Sequence, residues 1–136
     1  MADCIFCALV EGRIPARRVF EDDSHVAFFP LKHIEPGHTL LVPRRHHDFV
    51  FDMDDGAYQA LWAAAKRLAP AIRSVCGAAR VGILVEGFSV PHVHVHLVPV
   101  NRLNDMNPTR EQPLGGAEAD RLAARLRETL ARGTAR

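Results

Sequence analysis

The stretch PHVHVHLVPV, residues 91–100, limits the fold more than any other part of the chain. Its alternation has the period of a strand, because successive side chains on extended backbone point to opposite faces. Val93, Val95 and Leu97 would enter a core while His92, His94 and His96 share the other face. At ~3.3 Å per residue the outer two histidines stand about 13 Å apart, too far to join one compact metal site, so the three rings are expected to have separate jobs. A merely solvated histidine face is a poor reading, since strands are depleted in polar runs unless that face meets a partner or a ligand. A face given over wholly to metal would need more carboxylate or imidazole ligands than the flanking residues offer.

The rest of the chain reads as an α+β sequence with no repeat, low-complexity tract or linker before about residue 101. A short helix is expected from Cys4 to Val10, ending near Gly12, followed by strands in RRVFE and HVAFF on either side of a turn at Asp22 to Ser24. Pro36 and Gly37 mark a turn before a strand at Thr39 to Val42, which Pro43 ends. Leu61, Ala65, Leu68, Ile72 and Val75 recur at steps of four and three, the stripe of a long helix that Asp54 or Asp55 can cap and Gly77 can close. Pro70 falls inside it, removes a backbone donor and is expected to bend or split it. Strands at 81–86 and 93–98 follow, then a polar, turn-rich excursion, and a last helix from about Ala117 to Leu130. The order α, β, β, β, α, β, β, α predicts a mainly antiparallel sheet.

Length and charge exclude several classes. The 136 residues, 48% of them hydrophobic, suffice for one domain with a real core, and the reading takes 1–136 as that domain, with its core at about 3–100 and a loop plus helix beyond. With 17 basic and 16 acidic side chains the net charge is +1, so no strong field draws the chain to nucleic acid. No window approaches the ~18 apolar residues that a membrane span needs, and no signal-peptide pattern opens the sequence. Cys4, Cys7 and Cys76 are too few for a disulfide framework, which fits a reducing, cytoplasmic setting.

The run His92-Val93-His94-Val95-His96-Leu97-Val98 matches the His-φ-His-φ-His-φ-φ signature of the histidine-triad superfamily, where φ is hydrophobic. DCIFCALVEGRIPARRVFEDD and PGHTLLVPRRHH precede it in order and at fitting intervals, so the chain over about residues 3–100 resembles the Hint-like bacterial branch that carries an N-terminal Cys-x-x-Cys pair. The resemblance implies a homodimer whose sheets join across the interface. It also implies a nucleotide-binding nucleotidyl hydrolase or transferase acting at the α-phosphorus of a nucleoside phosphate ester, phosphoramidate or dinucleotide. Carried over by position, His94 is the nucleophile, His96 and His38 hold phosphate oxygens, and Ser89 lies near the phosphate or leaving group. Ile5, Phe6, Leu9, Phe28 and Leu31 match positions lining the nucleoside pocket. Taken singly, His38 and Ser89 read as turn residues and the five apolar side chains as core.

Cys4-x-x-Cys7 alone is open to redox, structural or incidental readings, although a thioredoxin-like site would want a preceding strand that is absent. The resemblance implies a structural zinc held by Cys4, Cys7, His46 and His92, with His47 as the competing ligand and no catalytic metal. Cys76 reads as an inert small hydrophobe.

Two departures qualify the resemblance. Pro30 stands where the family usually carries an aspartate for the ribose hydroxyls. EGFSVPH replaces the longer approach to the triad and lacks its asparagine and glutamine. Besides the hydrolase reading, a nucleotide-binding regulator with weak or vestigial catalysis and a metal-dependent hydrolase therefore stay open.

Overall fold

The computed structural model describes residues 4–113 and 115–133, so both ends of the 1–136 reading and Leu114 lie outside the described residues. Helix α1 spans Ile5–Val10, and β1 (Arg18–Glu21), β2 (His25–Phe28), β3 (Lys32–His33) and β4 (Thr39–Pro43) follow it. Helix α2 covers Asp55–Cys76, then β5 (Arg80–Leu84), β6 (Val95–Val100), β7 (Gln112–Pro113) and helix α3 (Gly116–Ala131) complete the order. The main sheet runs β1-β2-β4-β6-β5, and every pair in it is antiparallel.

The alternation of apolar positions along the strands gives the sheet two covered faces. On one, Leu41, Val93, Val95 and Leu97 pack against Leu61, Leu68 and Ile72 of α2 and Ala123 and Leu126 of α3. On the other, Val26, Phe28, Leu40 and Val42 meet Phe6 and Leu9 of α1. Burying a leucine such as Leu61 or Leu68, both fully enclosed, contributes about 2 kcal/mol, so the α2 and α3 layer supplies most of the hydrophobic drive.

Helix α2 begins where the sequence predicts: Asp54 accepts the Ala57 N–H at 3.3 Å, and Gly77 closes the helix at φ 62°. Of the bend or split expected at Pro70, the split does not occur, for α2 is one unbroken helix of 22 residues. Lys66, whose carbonyl loses its usual donor four residues on, and Arg67 beside it are exposed, so water can satisfy the freed group.

Two boundaries differ from expectation. The triad strand begins at Val95 rather than Val93, because the Val93 N–H donates to the His47 carbonyl at 2.7 Å instead of to a sheet neighbour. The strand before it ends at Leu84 rather than residue 86. The described residues of the polar excursion are tied down: Asp105 accepts the backbone N–H groups of Asn101 and Arg102, Arg110 pairs with Glu35, and β7 pairs with β3. Helix α3 docks through Arg17, which bonds Asp120 at 2.6 Å, and through Arg127, which donates to the Arg18 carbonyl at 2.7 Å. Among the described residues no helix is long and apolar enough to cross a membrane.

Candidate functional site

His92 sits in a bend and His94 in the unpaired residues just before β6, both against Phe6 of α1, and His96 lies on β6 itself. The Phe6 ring meets His94 edge-on at 5.0 Å and His92 at 5.9 Å, while His94 and His96 stand 4.9 Å apart, centroid to centroid. His92 and His94 are buried and His96 is partly so. The three rings share a face yet engage different partners.

For His94 the partner is local. Its Nδ1 lies 2.8 Å from the carbonyl oxygen of His92, which can only accept, so the ring hydrogen sits on Nδ1. In the neutral ring this leaves Nε2 with the lone pair that a nucleophile needs.

His96 has its tautomer set from further away. The Ile34 N–H donates to Nδ1 of His38 at 3.0 Å, so the His38 hydrogen sits on Nε2 and donates to Nδ1 of His96, also at 3.0 Å. The hydrogen of His96 is therefore on Nε2, free to donate. Both nitrogens of His38 are used within the chain, and none is left for a phosphate oxygen. Burial, reinforced by the neighbouring rings, lowers His38 to about 3 and His96 to about 4, so both stay neutral around pH 7.

The turn that delivers His38 is tight. Gly37 sits at φ 98°, and a Cβ there would come within 2.3 Å of the Cys76 sulfur, so only glycine fits. Cys76 is thus a wall of this turn as well as a small hydrophobe.

His92 turns its ring elsewhere. Its Nε2 donates to the Pro43 carbonyl at 2.9 Å, which leaves Nδ1 as a lone pair 3.3 Å from Cys4 Sγ and 3.5 Å from Cys7 Sγ. His46 brings its Nδ1 to 3.4 Å from Cys7 Sγ, and its ring meets His92 at 4.9 Å. The helix explains the cysteine pair: Cys4 is the N-cap of α1, its sulfur accepting the Cys7 N–H at 3.4 Å, so residues three apart present both sulfurs on one side. The four ligand atoms lie within 4.8 Å of one another, and such N···S distances are close to the ~3.6 Å edge of a zinc tetrahedron built with bonds of about 2.3 and 2.05 Å. A two-sulfur, two-imidazole donor set fits zinc, and the Pro43 carbonyl supplies the outer hydrogen bond that orients a histidine ligand. His47 is not in this cluster; it lines a different hollow with Ser24, His25 and Arg44.

A cavity of about 540 Å³ opens beside Phe6. Ile5, Phe6, Leu9, Phe28 and Leu31 all line it, and Pro30 is on its wall. Ser89 is exposed in the bend ahead of the triad, and its neighbour Val90 is the one that reaches the cavity. Sequence reasoning missed Glu86, whose carboxylate converges with one ring nitrogen each of His94 and His96 within 4.8 Å. An acid at the end of a strand is an ordinary solvent-facing residue, and no spacing rule singles it out.

Comparison with known proteins agrees with this arrangement. The HIT domain matches residues 11–103. An uncharacterized HIT-like protein of Saccharolobus solfataricus is 34% identical over 119 residues, covering 80% of this chain and 86% of that protein. The crystal structure of a Zn-bound histidine triad family protein from Mycobacterium smegmatis superposes with a TM-score of 0.79 at 26% identity, covering 96% of this chain and 95% of that one. Adenylylsulfatase HINT3 of Arabidopsis thaliana is 24% identical over 102 residues, 71% of this chain and 52% of that protein.

Proposed function

The chain belongs to the HIT domain family, and from that premise we propose that it is a nucleotidyl hydrolase or transferase that works through a nucleotidyl-histidine. The observation that carries this is the hydrogen bond from His94 Nδ1 to the His92 carbonyl, which leaves the Nε2 lone pair free. That lone pair attacks the α-phosphorus of a nucleoside phosphate ester, phosphoramidate or dinucleotide, and the leaving group departs in line. Water then hydrolyses the intermediate. His96, held by His38, donates Nε2–H to a phosphate oxygen whose charge is redistributed in the transition state. His38 acts through His96 as a positioning residue, and Ser89 stands near the phosphate. The nucleoside occupies the cavity lined by Ile5, Phe6, Leu9, Phe28 and Leu31. A relative named adenylylsulfatase supports a substrate of the adenylyl class.

Cys4, Cys7, His46 and His92 would hold zinc, and a four-residue ligand set of this kind would give it a structural role, tying α1 to the segment after β4 and to the bend before β6. The Zn-bound relative supports that assignment. The active form is a homodimer whose sheet continues across the interface.

Pro30, on the cavity wall without a side-chain acceptor, favours a second reading, a nucleotide-binding regulator with vestigial catalysis. Nucleoside phosphoramidates and dinucleotides assayed on wild type and His94→Ala separate the two. Turnover by wild type that is abolished in His94→Ala supports the hydrolase; binding without turnover in both supports the regulator.

A further inference from the structure

Glu86 stands beside the two histidines that the proposed reaction uses. One carboxylate oxygen and one ring nitrogen each of His94 and His96 lie within 4.8 Å of one another, yet among the described residues no hydrogen bond joins Glu86 to either ring. A gap of that size admits a bridging water, which can donate to the carboxylate. The carboxylate is held from behind: its Oε1 accepts the Phe88 N–H at 2.8 Å, which fixes the bend 86–88 and leaves the other oxygen free. Its negative charge reaches His96, opposing the fall in that ring's basicity that burial causes.

An ionised carboxylate can only accept hydrogen bonds, and it repels an anionic phosphate. It is therefore a poor substitute for the amide donors missing from this shortened approach to the triad. It is well suited to take a proton.

We propose that Glu86 is the general base that activates water in the second half of the reaction, an inference that rests on the His94 reading above. Water attacks phosphorus from the side opposite Nε2, as in-line displacement requires. As the oxygen–phosphorus bond forms, Glu86 accepts one proton from the water. The phosphorus–Nε2 bond breaks and its electron pair returns to His94, whose Nδ1–H stays on the His92 carbonyl. The products are the nucleoside monophosphate, neutral histidine and a protonated Glu86 that, being exposed, returns its proton to solvent.

Glu86→Gln tests this, because an amide oxygen keeps the bond from the Phe88 N–H while losing basicity. The probe is an adenosine 5′-phosphoramidate with a fluorescent amine leaving group, followed by rapid quench on the zinc-loaded protein. In Glu86→Gln the first turnover should release the amine in a burst as large and as fast as in wild type, while steady-state turnover falls by about 100-fold. Nucleotidyl-enzyme should accumulate, the melting temperature should stay unchanged, and hydroxylamine, which attacks without a base, should restore turnover. Steady-state turnover within threefold of wild type, or a burst lost in proportion to turnover, overturns the assignment of Glu86 and leaves the His94 reading standing. Turnover by wild type with no nucleotidyl-enzyme overturns both.

Discussion

The carbonyl oxygen of His92 lies 2.8 Å from Nδ1 of His94, so the residue that aims the candidate nucleophile is the same one whose ring faces Cys4 and Cys7. His92 serves two sites, one through its backbone and one through its side chain. The candidate metal cluster and the candidate nucleophile are therefore mechanically joined across one peptide unit.

Removing the metal should loosen both. Metal analysis of the purified protein should find one zinc per chain, lost in Cys4→Ala and in His46→Ala and kept in His47→Ala. Chelation should lower the melting temperature and turnover together, since α1 carries Phe6, which packs on His94. Equal zinc content in His46→Ala and His47→Ala would contradict the ligand set.

Acid should destabilise the fold through the His38–His96 pair. Both have folded-state pKa values, about 3 and about 4, below the histidine value of 6.5, so below that value the unfolded chain binds more protons. Stability is fully present above pH 6.5 and falls as pH drops toward 4, by up to about 1.4 kcal/mol per pH unit for each ring. Urea melts between pH 7.5 and 4.5, compared with His38→Gln so that acid loss of metal cancels, should show a flatter profile in the variant. Parallel profiles would contradict the pairing.

Most of the architecture was legible because it is written in periods. Alternation at 91–100 separated Val93, Val95 and Leu97 from the histidines, and steps of three and four marked α2 with its Asp54 and Gly77 ends. The two-residue strands β3 and β7 were not legible, since two residues carry no period and their pairing joins positions 79 and 81 apart. The same holds within the site. Cys4, Cys7, His46 and His92 could be named from residue types and resemblance, but the His92 carbonyl, the Ile34 N–H and the Pro43 carbonyl belong to the backbone, which every residue has. Pro70 does not split α2, because the cost of a missing donor depends on whether water can reach the freed carbonyl.

Ribose recognition should be weak at the position of Pro30. A site built to bond a hydroxyl rejects the analogue lacking it by about 10⁴-fold or more. Here, removal of the 2′-hydroxyl from a phosphoramidate substrate should change kcat/KM by less than about tenfold. Pro30→Asp should raise the preference for the ribonucleoside, and a large discrimination in wild type would mean that another residue supplies the acceptor.

Gly37→Ala should displace His38. The positive φ alone costs on the order of 1–3 kcal/mol, and the new methyl would strike the Cys76 sulfur. Adding Cys76→Ala should recover the clash and leave the φ cost, so the double variant should melt between Gly37→Ala and wild type. Additive losses would show that the two side chains do not meet.

The most direct measurement is to quench turnover of an adenosine phosphoramidate in acid-free denaturant and locate the phosphorus by peptide mass and phosphorus NMR. The nucleotidyl group should be on His94 through Nε2, and absent from His94→Ala, which should retain nucleotide binding. Undiminished hydrolysis by His94→Ala, or a nucleotidyl group on another residue, would contradict the mechanism.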